Sequence, residues 1–147
     1  MARYRDESAR DSALRLETDE RFPSGPWKGF WLQRGLPGRQ WMRQLRLTFA
    51  EGVVEGSGSD CVGDFVFSGV YERDTGRVLL LKHYLGAHLV EYDGRNDNDG
   101  LWLWGMWHIP GFDRGGFHMW PAGVEDPTRR RLEAEEELPA AQPALAR

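Results

Sequence analysis

Between Pro26 and Trp120, glycine divides the chain into eight short segments, and no helix-forming stretch separates any two of them. Parallel neighbours need a crossover of a dozen residues or more, so strands joined this closely must pair antiparallel. The segments are Pro26–Gln33, Trp41–Phe49, Gly52–Gly58, Val62–Tyr71, Arg77–His83, Ala87–Asp93, Gly100–Trp107 and Arg114–Trp120. Alternation is clearest in the second, where Trp41, Leu45, Leu47 and Phe49 share the inward face with Arg43, opposite Gln44, Arg46 and Thr48. The fourth repeats the pattern, with Phe65, Phe67 and Tyr71 opposite Asp64 and Ser68. Ala50-Glu51-Gly52, Asp74-Thr75-Gly76 and Leu85-Gly86 are short joints ending in glycine, which suits hairpins that need positive φ. Together these features predict an all-β fold, a small antiparallel up-and-down barrel of about eight strands whose closure leaves no exposed edge. Gly29, Gly56, Gly58, Gly69 and Gly105, inside the strands, suit bends and bulges at barrel corners.

The ends read differently. Residues 1–21 are mostly charged or small, with Leu14 and Leu16 the only large aliphatics, and predict a disordered N-terminal segment. Residues 22–124 form the expected barrel domain, sufficient by themselves for its stability. Residues 125–147 form a charged tail, in which Asp126-Pro127 suits the start of a short helix over Arg129 to Leu138.

A formal net charge of −4 over 147 residues argues against general affinity for nucleic acid or anionic membranes. Lys28 and Lys82 are the only lysines, and the arginine excess reads as codon usage rather than as a binding site. A single cysteine, Cys61, allows no internal disulfide and no thiolate cluster, and it reads as a small buried thiol. The charged first twenty residues contain no apolar signal core, and no stretch approaches the length of a membrane helix. A cytoplasmic protein is expected.

Gly25-Pro26-Trp27, opening the first strand, resembles the Gly-x-Trp signature of calycins, the superfamily of lipocalins, fatty-acid-binding proteins and avidins. The resemblance implies that Trp27 closes one end of the barrel and that a small molecule binds in the lumen. A short helix after the last strand would also look lipocalin-like.

No catalytic or metal signature stands out. His83 and His88 could approach each other across the Leu85-Gly86 turn, but no third ligand has suitable spacing, so no metal site is expected. Aligning Asp93 to Gly100 on an EF-hand loop places Arg95 and Met106 at ligand positions, which leaves an acidic hairpin. The glycine-dense stretch Gly56 to Gly63 fits neither a dinucleotide loop nor a P-loop, and reads as a wide turn with Asp60 capping backbone amides. No cofactor is expected.

Two places hold candidate site residues. The apolar run Leu101 to Trp107 predicts Leu101, Leu103 and Trp107 facing the core, and Trp102, Trp104 and Met106 facing out as a partner or self-association surface. The second is the hairpin at Leu85-Gly86. A two-residue turn puts Lys82 on the face of Leu89 and Glu91; a three-residue loop puts it with His88 and Tyr92. Either way His88, Val90 and Tyr92 lie together, and the cost of burying Glu91 turns them inward. There His88 and Tyr92, with Arg43 and with Trp31 and Phe67 as apolar wall, are the expected ligand-binding residues. A binding module for a small or partly apolar ligand is thus the first expectation. A protein-interaction domain, homo-oligomeric or partner-binding, with a filled core is the second, and an enzyme the weakest.

Overall fold

A computed structural model describes residues 14–96 and 101–129. Eight strands follow one another: β1 (Gly25–Gln33), β2 (Leu36–Ala50), β3 (Val53–Ser59), β4 (Asp64–Tyr71), β5 (Arg77–Tyr84), β6 (Leu89–Asn96), β7 (Leu103–Ile109) and β8 (Asp113–Pro121). Each pairs antiparallel with its chain neighbours, and β8 returns to β1 to close an up-and-down barrel. Every strand edge is therefore paired. Asp93 to Asn96, expected in a hairpin loop, complete β6, and residues 97–100 lie outside the described residues, as does Gly100 as a strand start. No helix among the described residues is long and apolar enough to cross a membrane.

Local chemistry explains the tight joints. Glu51 and Gly52 both take positive φ, 49° and 85°, between the paired residues Ala50 and Val53. That is a two-residue turn whose twist matches the strands it joins. At Gly69 a Cβ would come within 1.9 Å of the Leu79 carbonyl oxygen, so the close approach of the β5 backbone to β4 there requires glycine.

Inside, rings meet rings. Phe65, Phe67, Tyr92 and Phe117 form a continuous run, with centroid separations of 5.2, 5.3 and 4.6 Å, and fill the middle of the lumen. One end is sealed by Phe22, Trp27, Phe49 and Tyr71, and the Trp27 indole N–H donates to the Pro23 carbonyl. The described part of the N-terminal segment lies against this end. Leu16 bridges to Ala50, the Tyr71 hydroxyl donates to Glu17, and Asn96 Nδ2 donates to the Arg21 carbonyl.

A second aromatic cluster lies outside the barrel wall. Phe30 and Trp120 point outward yet are buried, packed with Trp41 and roofed by the Arg39 guanidinium 4.3 Å from the Phe30 ring. Arg39 is held by Asp126, whose carboxylate also caps the helical start at Pro127 by accepting from the Thr128 amide. The expected helix beyond residue 129 lies outside the described residues.

Four residues expected inside, Trp41, Arg43, Leu101 and Cys61, lie on the surface. A bulge between Arg43 and Arg46, with Gln44 at φ 53°, adds a residue to β2 and reverses its parity upstream. Met42 therefore faces in, while Trp41 is 43% exposed and Arg43 lies on the surface. Leu101 precedes the start of β7 and is exposed rather than in the core. Cys61, expected to be buried, is exposed, because reciprocal backbone bonds between Asp60 and Gly63 close a turn that leaves Cys61 and Val62 at its tip.

Candidate functional site

The β5–β6 hairpin adopts the three-residue loop. The Tyr84 amide donates to the His88 carbonyl, and Lys82 pairs across from Val90. Lys82 consequently joins the inward set of Val78, Leu80 and Tyr84 and is fully buried. A buried ammonium is costly unless paired. Its partner is Asp60, at the start of the β3–β4 turn, with Nζ 2.7 Å from Oδ2 and both side chains closed to solvent. The same oxygen accepts from the Tyr84 hydroxyl at 2.7 Å and the Trp31 indole at 3.0 Å, while Oδ1 accepts from the Val62 amide at 2.9 Å. Four donors thus satisfy the carboxylate.

The ammonium also donates to the Tyr92 hydroxyl at 3.2 Å and faces the rings of Phe65, Tyr84, Tyr92, Trp31 and Phe67, with centroids 4.2 to 5.8 Å away. Burial pulls Lys82 down to about 8 against the upward pull of Asp60. Burial raises Asp60, but the Lys82 charge and the bonds from Lys82 and Tyr84 outweigh it and hold the carboxyl below its ordinary value. Both partners are ionised at neutral pH. Tyr84 and Tyr92 are pushed up, first by burial and then by Asp60, so both stay neutral.

Above this cluster the barrel is open. A pocket of about 190 Å³ is walled by Trp31, Val62, Val90, Trp107, Ile109 and Phe112, with Tyr84 and Tyr92 also lining it and His88 and Gln33 at its sides. Its indoles are pinned: Trp31 to Asp60, and Trp107 to the Leu32 carbonyl at 2.8 Å. A larger depression, about 650 Å³, lies at the sealed end among residues 15–18, Glu51, Gly52, Tyr71 and Arg73. Its polar groups already answer one another, with Arg15 bonded to Glu51 and Tyr71 to Glu17, and it has no apolar walls comparable to the indole pair. The smaller pocket is the better candidate site.

No family model, curated protein or solved structure matches the chain. The site therefore rests on its own geometry.

The structure brings together part of the expected set. Trp31 and Tyr92 line the pocket. Phe67 is buried one layer deeper, against the Tyr92 ring. His88 does not face inward as expected: the three-residue loop ends at it, leaving it exposed at the rim with its ring 5.4 Å from that of Tyr84. Arg43 reaches the site only from outside, donating to the Asp60 carbonyl at 3.3 Å. On the outer face, Trp104 and Met106 are exposed by 39% and 50%, while Trp102 is half-buried and donates to His118 Nδ1. Among the described residues no three His, Cys, Asp or Glu side chains gather to hold a metal ion.

The sequence reads Asp60 as a turn cap and leaves the face of Lys82 to the loop length, but it does not show that the two meet. The signal for Lys82 was its place two residues from Leu80 and Tyr84, but Leu79 and Leu81 make the other face equally apolar. The pair has the perturbed ionisation that active sites often show. It nevertheless lies behind Tyr84 and Tyr92 and off the pocket wall, with the carboxylate's acceptor sites occupied. What the arrangement does chemically is brace two tyrosines and an indole beneath an apolar pocket.

Proposed function

We propose that the protein is a calycin-like binding barrel that takes a small, largely apolar molecule at its open end rather than along its lumen. The observation that carries this reading is the pocket itself: two immobilised indoles and four aliphatic or phenyl walls above tyrosines anchored by a buried ion pair. Indoles fixed before the ligand arrives reduce the ordering cost of binding. Trp27, buried at the sealed end in a Gly-x-Trp context, supports the calycin comparison. At about 190 Å³ the pocket is smaller than those of drug-sized ligands, so the occupant is a short chain or a single ring system.

Trp31 and Trp107 give the test an internal reporter. Adding octanol should change tryptophan fluorescence and raise the melting temperature. Replacing Ile109 by Phe should fill the pocket and remove both effects while the barrel stays folded. Absence of any response, together with no retained molecule in native mass spectrometry, would overturn the reading.

A second reading has its own support. Trp104 and Met106 stand side by side on the outer face in a half-exposed apolar strip, as expected for a surface that meets another protein or a second copy.

A further inference from the structure

Next to the apolar pocket lies a polar depression of about 280 Å³, lined by Arg34, His108, Phe112, Asp113 and Arg114. The two are contiguous. Phe112 belongs to both, and Gln33 of the pocket donates to Asp113 Oδ2 of the depression at 2.8 Å. Arg34 sits at the tip of the β1–β2 turn and Arg114 at the start of β8; both are exposed, and neither has a salt-bridge partner within 4 Å among the described residues. Arg21, Arg39, Arg73 and Arg77 each pair with a carboxylate; among the described residues Arg46 and Arg95, like Arg34 and Arg114, do not, but Arg34 and Arg114 line one depression together. The negative groups nearby are Asp113 and Glu91. Glu91 lies 3.7 Å from His108 Nδ1. Asp113 is tied by Gln33 and by the Arg114 backbone amide, bonds that hold its carboxyl below the ordinary value, with Arg34 adding to the effect. Two guanidinium-bearing side chains thus share the depression with one pinned carboxylate, with Glu91 engaged at His108 beside it, on a chain whose net charge is −4.

From this juxtaposition we infer that the ligand is a small amphipathic anion. Its apolar tail enters between Trp31 and Trp107, and its carboxylate or sulfonate meets Arg34 and Arg114 at the rim. Guanidinium forks match the geometry of such oxyanions, and at the rim the head keeps part of its hydration. The inference rests on the pocket reading above, and it adds the charge and direction of the ligand.

The test varies the head on one tail. Octanoate, octanol and octylammonium would be titrated against the full chain at low salt, with tryptophan fluorescence as readout. Octanoate should bind roughly fivefold more tightly than octanol, with octylammonium weakest, since exposed charge contacts give modest gains. The advantage of octanoate should shrink at high salt. Replacing Arg34 and Arg114 together by Gln should bring octanoate down to octanol and leave octanol unchanged. Equal binding of octanoate and octanol by the unaltered protein would overturn the anion inference and leave the pocket standing, as would a preference for octylammonium. Failure of all three to bind would overturn the pocket reading itself.

Discussion

Lys82 of β5 and Asp60 of the β3–β4 turn meet inside the barrel, with Nζ 2.7 Å from Oδ2 and no solvent access to either side chain. Charges in such a place are a liability when single and tolerable when paired. Lys82→Met should therefore cost about 3–5 kcal/mol, and Asp60→Asn a similar amount, because each leaves an uncompensated charge. Joining the two substitutions should cost much less than the sum. Urea unfolding of the four proteins in the cycle measures the coupling; additive costs would mean that the pair does not act as a unit.

Alkaline pH should strengthen the fold before weakening it. Lys82 loses its proton near 8 in the folded chain and near 10.5 when unfolded. Between those values the unfolded chain holds more protons, so the Lys82 contribution to stability rises with pH. Tyr84 and Tyr92 work the other way: their folded values are raised, so above about 10 the unfolded chain loses those protons first and stability falls. A stability profile should climb from pH 8 towards 10 and then drop. The climb should be absent in Lys82→Met.

Deleting residues 1–21 should cost more than their composition suggests. Glu17 accepts from Tyr71, Asn96 donates to the Arg21 carbonyl, and Arg21 Nη2 donates to the Arg73 carbonyl. Losing partners for half-buried polar groups is worth about 1–3 kcal/mol each where no water replaces them. Comparing melting temperatures of the full chain and the shortened one decides the matter; equal values would mean that residues 14–21 only rest on the surface.

His88 and Tyr92 should behave differently under substitution. His88→Ala removes an exposed ring at the pocket rim, so stability should change by less than about 0.5 kcal/mol while octanol affinity falls. Tyr92→Phe removes an acceptor from the buried Lys82 ammonium and should cost about 1–3 kcal/mol. Equal stability losses would place His88 in the core network.

Trp104→Thr should leave stability nearly unchanged and alter self-association or partner capture, measured by sedimentation. Trp102→Thr should cost about 1 kcal/mol through loss of its bond to His118. The pair of variants separates a contact surface from a packed one.

Strand existence, order and antiparallel pairing were legible in the sequence because they depend on local quantities. Alternation sets which stretches become strands, glycine at positive φ sets where they turn, and the lack of helices leaves only hairpin connections. What alternation could not carry was parity across an irregularity. One extra residue at Arg43-Gln44 exchanged Met42 for Trp41 and put Arg43 outside, and one residue in the loop after Tyr84 brought Lys82 inside. The encounter of Asp60 with Lys82, Trp31 and Tyr84 depends on closure of the whole barrel, since these residues come from two strands, β1 and β5, and a turn. Asp60 does cap the Val62 amide, as a turn residue should, but only the closed fold shows that its other oxygen faces the core. Sequence alone determined the strands, because their signals are carried within a few residues; the pocket was decided by tertiary structure, because register and closure choose which side chains share an interior.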